Sequence, residues 1–320
     1  MAFDLTQPLV IGISSRALFN LEKENSIFEQ KGLEAYSAYQ LAHEQDVLSP
    51  GAGFPLVRAL LQLNDLAQTG KRRHVVEVII MSRNSADTSL RIFHSIKHHH
   101  LDITRAALTG GAPVVPYLRP FHTDLFLSAS SQDVQEAVNH GTAAARLLLG
   151  TPSCLSAQEP SQIRIAFDGD AVLFGSESER IYKQEGIDAF MSYEQSHANI
   201  PLSMGPFANF LMTLSHIQSL FPDQSMSPIR IALVTSRNAP AHERAIRTLR
   251  SWKVRVDEAF FLGGAPKTEV LSAFGAQIFF DDQALHALPA SGVVPSAVVP
   301  YPEGSDPSIP LGTTPSEGDQ

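Results

Sequence analysis

The sequence predicts an α/β protein made of two duplicated halves with parallel sheets. Three observations lead there. Short apolar runs rich in β-branched residues alternate with longer stretches of helical periodicity, and strands that alternate with helices build parallel sheets. The order of these segments then recurs, with residue identities, at one fixed spacing. Between the two runs lies Thr151–Gln162, rich in Pro, Ser and Gln, which has the composition of a linker.

In chain order, residues 9–13 (L-V-I-G-I) read as a strand and Ser26–His43 as a helical region. Pro50–Leu66 offers a second helical periodicity through Phe54, Leu56, Val57, Leu60, Leu61 and Leu63. Val75–Met81 is a β-branched strand, Ser85–His99 a helix, and Leu125–Ser128 a short strand. His98, His99 and His100 point in different directions from a helix and read as its solvated end, not as a metal site. In the second half the strands are Ile163–Phe167, Ile231–Val234 and Ile278–Phe280.

The duplication is read from identities. Gly32 and Gly186 lie 154 residues apart, and at that spacing Ile27 meets Ile181, Gln30 meets Gln184, Ala35 meets Ala189, Tyr39 meets Tyr193 and His43 meets His197. Leu48 and Gly51 meet Leu202 and Gly205, and Ser82-Arg83-Asn84 meets Ser236-Arg237-Asn238. After a slip of one residue, Gly110–Pro113 meets Gly263–Pro266. So long a period excludes a solenoid and predicts two similar halves about a pseudo-twofold axis. The expected plan is a degenerate, non-catalytic half over 1–150, a linker over 151–162, and a catalytic half over 163–302. Within the catalytic half a small helical cap is expected at about 177–222. The Gly-, Pro-, Ser- and Thr-rich stretch 303–320 has little to bury and is expected to be disordered.

Composition sets the outer limits. With 320 residues, 43% hydrophobic and 18% charged, the chain has the make-up of an ordinary globular protein of about two domains. A formal charge of −9 leaves no basic footprint for nucleic acid. Cys154 is the only cysteine, which fits a reducing compartment and rules out an internal disulfide. No apolar run is long enough to span a bilayer, and Pro8–Ser14 lacks the basic flank of a signal peptide. A cytoplasmic location is expected.

The chemistry is concentrated in the second half. Ile163–Phe167 runs into Asp168-Gly169-Asp170, and carboxylates are costly to bury unless something pairs with them. At the carboxyl end of a parallel strand they would stand in the crevice where α/β sheets bind ligands. Thr235-Ser236, Lys267 and Asp281-Asp282 each follow a later strand, in the same order along the chain. Together they suit phosphoryl transfer. Asp168 would attack phosphorus, Asp170 would act as acid and base, and Lys267 would offset the negative charge. Thr235, Ser236 and Lys267 would hold the phosphate oxygens, while Asp168, Asp170 (through its carbonyl), Asp281 and Asp282 would hold Mg²⁺. Each signal alone has a plainer reading as a helix cap, a turn or a surface charge. The other half supplies a control: Ser14 faces Asp168, Arg16 faces Asp170, Met81 faces Thr235, Val114 faces Lys267, and Ser128 and Ala129 face Asp281 and Asp282. The hydrophobic frame persists while the charged groups do not. Phe190, Tyr193, Phe207, Phe210 and Met212 could wall a nucleobase, although such residues are more often core.

The combined motifs resemble the cytosolic 5'-nucleotidase type I family, within the haloacid-dehalogenase-like phosphatases. The resemblance rests on Phe167–Phe174, the acidic stretch around Ser178, Leu249–Trp252, Phe261–Lys267 and Ile278–Gln283, and in the first half on Ile13–Phe19 and Tyr117–Leu127 with His122. It implies Rossmann-like halves and Mg²⁺-dependent hydrolysis of nucleoside 5'-monophosphates, AMP foremost. It further implies a nucleotide effector such as ADP and a homo-oligomer. A pocket at Arg16, Ser82, Arg83 and Asn84 is the expected place for that effector. The rival readings are a phosphatase for another small phosphoester, such as a sugar phosphate, and a nucleotide-binding regulatory protein with incidental hydrolysis.

Overall fold

Strand β1 (Leu9–Ile13) is buried along its whole length, and its alternating side chains serve both faces of a sheet. Leu9, Ile11 and Ile13 enter one core, while Val10 enters another on the opposite face. The structure, a computed structural model, describes residues 4–67, 74–149, 162–221 and 227–305. The linker, apart from Gln162, therefore lies outside the described residues, as do Pro222 and the tail beyond Ser305.

After β1 come α1 (Ser15–Leu18), α2 (Glu22–Ala42), α3 (Phe54–Ala67), β2 (Val76–Ser82), α4 (Leu90–His98) and β3 (Arg105–Leu108). Then follow α5 (Val115–Leu118), β4 (Leu125–Ser128), α6 (Ser131–Asn139) and β5 (Ala144–Leu147). The second run is β6 (Ile163–Phe167), α7 (Glu177–Glu185), α8 (Ile187–Ser196), α9 (Ala208–Ser219), β7 (Ile229–Thr235), α10 (His242–Ser251) and β8 (Glu258–Phe261). It closes with α11 (Thr268–Phe274), β9 (Ile278–Asp281), α12 (Ala284–Ala290) and β10 (Ser296–Val298).

All ten described strands join one sheet, in the order β3-β2-β1-β4-β5-β10-β9-β6-β7-β8. Every neighbouring pair is parallel except β5 and β10, which run antiparallel where the two runs meet. The sheet is thus continuous, not divided in two. Nothing in Ala-Ala-Arg-Leu or Ser-Ala-Val announces a strand, since alanine and serine have little β propensity. The strand order reads the same from either edge. Carboxyl ends of β6, β7 and β9 therefore open on the rim opposite those of β1, β2 and β4.

One apolar core runs under the whole sheet, from Leu9 and Ile13 through Leu147 to Phe167 and Phe280. Phe207 and Phe210 of the α9 segment belong to it, packing on Phe167 and Phe280 with ring centroids 4.8–6.4 Å apart. These two rings are core, not the wall of a base site. His99 is likewise held inside, its Nε2 2.8 Å from the Leu48 carbonyl and its ring stacked on Phe19.

Local geometry repeats between the two runs. Gly32 breaks α2 at φ 80° and Gly186 separates α7 from α8 at φ 87°, a conformation glycine adopts without a steric cost. Tyr39 stacks on His43 and Tyr193 on His197. The ladders also correct one sequence match. Ser82 pairs with Leu108 as Thr235 pairs with Phe261, and the Asn84 amide donates to Ser82 Oγ as the Arg237 amide donates to Thr235 Oγ1, both at 3.2 Å. Ser82, not Met81, thus occupies Thr235's position, and Asn84 occupies that of Arg237. The Ser-Arg-Asn identities lie one residue out of register because the slip falls before β2.

The turn after β6 is braced from below. Gly205 N donates to the Leu173 carbonyl (2.8 Å) and Phe207 N to the Val172 carbonyl (3.0 Å). A Cβ on Gly205 would press into the Phe174 and Val172 carbonyl oxygens. Gly205→Ala is therefore expected to cost about 1–3 kcal/mol of stability by overpacking, read from urea denaturation.

Candidate active site

The site is assembled at the ends of four adjacent strands, β9, β6, β7 and β8. Asp168 is the first residue past β6, and its amide donates to the Phe280 carbonyl (2.8 Å), which fixes it beside the end of β9. Asp281 ends β9 and Asp282 follows it. Lys267 stands at the start of α11, reached from β8 through Gly263 and Gly264, both at positive φ. Its Nζ lies 2.9 Å from Asp168 Oδ1 and 2.7 Å from Asp281 Oδ2. All four side chains are buried.

One oxygen from each of Asp168, Asp281 and Asp282 lies within 4.8 Å of the others. Asp282 Oδ1 is buried with no hydrogen-bond partner, and Asp168 Oδ1 has the lysine ammonium nearby but no aligned hydrogen bond. Buried carboxylate oxygens in this condition call for a cation. An all-oxygen donor set of this kind fits a hard divalent ion such as Mg²⁺.

The electrostatics agree. Burial pushes Asp168 up to about 6, with Lys267 opposing the rise and Asp281 adding to it. Burial pushes Asp282 up to about 9, and the charges of Asp168, Glu179 and Asp281 add to this. Asp281 is also raised, chiefly by burial. Burial works against the Lys267 ammonium, but Asp168 and Asp281 outweigh it and hold its pKa above the usual lysine range. One lysine pairs with two of the three carboxylates.

Thr235 ends β7 with its hydroxyl against the turn after β6, where a Cβ on Gly169 would come within 3.1 Å of it. Ser236 follows, exposed to solvent. Asp170 does not join the acid cluster. Its carboxylate is gripped by Arg237, Nε to Oδ2 at 2.7 Å and a terminal nitrogen to Oδ1 at 2.6 Å. Of the first-half residues, Arg16 forms a two-pronged pair with Glu22 (2.7 and 2.8 Å), and Arg83 Nε donates to Asp133 (2.8 Å). Ser82 Oγ lies 3.0 Å from Ser15 Oγ, and the Asn84 amide donates to it.

Several polar residues of the site region escaped the sequence reading. Glu179 Oε1 accepts from Gln283 (2.9 Å) and pairs with Lys183 (2.8 Å). Tyr301, past β10, has its hydroxyl against Asp282 Oδ2 and 2.7 Å from Glu179 Oε2. Arg237, Glu194 and Arg244 form a further buried ionic group. Arg237 sits beside a hydroxyl already singled out, which was a usable signal. Nothing marks Tyr301.

The raised carboxylates fix the sign of a pH effect. From the ordinary 3.8 up to about 9, Asp282 keeps its proton in the folded state after losing it in the unfolded state, and Asp168 does so up to about 6. The unfolded chain then binds fewer protons, so stability present in acid is lost as pH rises. In EDTA, calorimetry should show the melting temperature falling from about pH 4 towards pH 9, and Asp282→Asn should flatten the alkaline part. Mg²⁺ should restore more stability at pH 8 than at pH 5, because it binds the ionised acids of the folded state.

A 5'-nucleotidase family profile matches residues 1–306. Human cytosolic 5'-nucleotidase 1B is 39% identical over 284 residues, which cover 87% of this chain and 46% of that protein. The chain thus spans about half the length of the curated relative it matches. No solved structure matches. No described helix is long and apolar enough to cross a membrane. With a profile that spans nearly all of its length and a relative at this identity, the chain belongs to the 5'-nucleotidase family.

Proposed function

We propose that this chain hydrolyses nucleoside 5'-monophosphates, AMP foremost, to nucleoside and phosphate. The observation that carries the reading is the buried cluster of Asp168, Asp281 and Asp282, with one lysine paired to the first two and an Asp282 oxygen left unpartnered. The family and the relative's name supply the substrate class.

Asp168 is the nucleophile. Its carboxylate oxygen forms a bond to phosphorus as the bond from phosphorus to the nucleoside O5' breaks, and the electron pair leaves with O5'. Asp170 gives that oxygen a proton. In the second step Asp170 takes a proton from water, whose oxygen displaces Asp168 from phosphorus and releases phosphate. Lys267 neutralises charge at the reacting oxygens, and the Thr235 and Ser236 hydroxyls orient the phosphoryl group. Asp168, the Asp170 carbonyl and Asp281 or Asp282 would hold Mg²⁺, which would supply Lewis-acid stabilisation of the phosphate charge.

The same reading makes residues 1–150 a non-catalytic copy of 163–302. It is supported by the mirrored strand order and by an ion pair, Glu77–Arg105, that recurs as Arg230–Glu258 with its signs exchanged. Of the stretch at about 177–222, helices α7 and α8 are the cap, while α9 packs into the core under the sheet. A cytoplasmic location, a homo-oligomer, and an ADP-like effector near Arg16, Ser82, Arg83 and Asn84 complete the proposal.

Phosphate release from a panel of nucleotides and sugar phosphates tests it. AMP should be turned over with Mg²⁺ and not in EDTA. Asp168→Asn should lose activity below detection, and Lys267→Met should lose at least about 100-fold in kcat. Normal turnover by Asp168→Asn would remove it as the nucleophile, and preference for a sugar phosphate would replace the substrate.

A further inference from the structure

We propose that Arg237 is a positioning residue that aims the carboxylate of Asp170, and that Glu194 on α8 anchors Arg237 for this purpose. The inference rests on the reading of Asp170 as the group that protonates the leaving oxygen.

The geometry is a relay of buried charges. The Arg237 guanidinium takes both oxygens of Asp170, and its remaining nitrogen reaches Glu194 and the Ala241 carbonyl (3.2 Å). Glu194 is fully buried, and its other oxygen accepts from Ser178 (2.6 Å) and Arg244 (2.9 Å). Arg244 is tied in turn to the Ile200 carbonyl (2.8 Å). A planar guanidinium fork on both oxygens fixes a carboxylate in orientation as well as distance, which a lysine would not do. Each Asp170 oxygen keeps a free lone-pair site beyond the arginine, so the grip does not block proton transfer.

The first half shows what the fold needs without this chemistry. Arg91 there donates to the Asp46 carbonyl (2.9 Å), Glu24 (2.6 Å) and Gln40 (3.4 Å), as Arg244 does to the Ile200 carbonyl and Glu194. Gln40 stands 154 residues before Glu194, Asn84 holds Arg237's place by strand register, and residue 16 is arginine where the second half has Asp170. The scaffold arginine is thus kept in both halves. Acid, clamp and anchor all change together. A pair needed only to hold the turn, the strand end and the helix in place would be needed twice.

The test is dependence on the leaving group. A nucleoside alkoxide needs a proton as it departs, whereas p-nitrophenolate leaves readily without one. For the full chain with Mg²⁺, the single-turnover rate of leaving-group release, which reads the first step and not the later attack of water, and KM are measured on AMP, or on whichever alkyl phosphate of the panel is turned over, and on p-nitrophenyl phosphate. Asp170→Asn should lower that rate on the alkyl phosphate by about 100-fold or more and on the aryl phosphate by less than about tenfold. Arg237→Met should show the same imbalance, at least about tenfold between the two substrates, with little change in KM. Arg237→Lys and Glu194→Gln should show a smaller imbalance in the same direction, since each keeps the side chain's reach while loosening the grip on Asp170. Equal losses on both substrates in these variants would mean structural damage alone and overturn the inference. So would a raised KM without a change in that rate, or no loss at all. If Asp170→Asn shows the imbalance and the Arg237 variants do not, only this inference falls. If Asp170→Asn itself shows none, the role of Asp170 falls and takes the inference with it.

Discussion

The contact on which the rest of the structure depends is Lys267 lodged between Asp168 and Asp281, with Asp282 close by. Three buried carboxylates and one ammonium leave an excess of negative charge that the chain does not itself balance. Protons can fill that deficit in acid, and a divalent cation can fill it at neutral pH. Much of the second half serves this imbalance: β6 and β9 lie side by side to bring the acids together, and the paired glycines before α11 deliver the lysine.

The first half shows how a sheet of the same strand order does without that charge. Where the second half has Lys267 and the acids, the first has Val114, Ser14, Ser128 and Ala129, and Val114 joins Met81 in an ordinary apolar cluster. Ser14 caps α1 and Ser128 Oγ accepts from the Ser130 amide, so their polarity is spent locally. The arginines of that half face acids of their own, at Glu22, Glu24 and Asp133.

Most of this site was legible in the sequence because each acid, the threonine and the lysine follow a strand or a glycine turn that apolar patterning or identity reveals. Asp170 was placed by the same logic, but its side chain is claimed by Arg237, a partner 67 positions away that no periodicity indicates. Glu194 and Tyr301 were missed for the same physical reason: long side chains reach the site from elements whose own patterns are unremarkable. The fold was legible to the extent that strands were β-branched. Strands β5 and β10 at the centre are short and alanine- or serine-containing, and their burial comes from neighbours, not from propensity. The repeated Ser-Arg-Asn shows the opposite hazard, identity that outlasts structural equivalence by one residue.

The antiparallel meeting of β5 and β10 bears on whether the chain could be divided. Because β10 also runs parallel to β9, it ends on the rim that carries the acids, and the segment beyond crosses to α6, where Gln135 donates to the Tyr301 carbonyl (2.8 Å) and Asn139 accepts from the Glu303 amide (3.0 Å). The hydroxyl of that same Tyr301 rests on Asp282. A cut between the halves would leave β5 and β10 each as a raw sheet edge, with backbone groups open to pairing with other chains. It would also remove the Gln135 hydrogen bond that ties the tyrosine's backbone to the other half. Although one half carries the acids, the indivisible unit is the whole sheet.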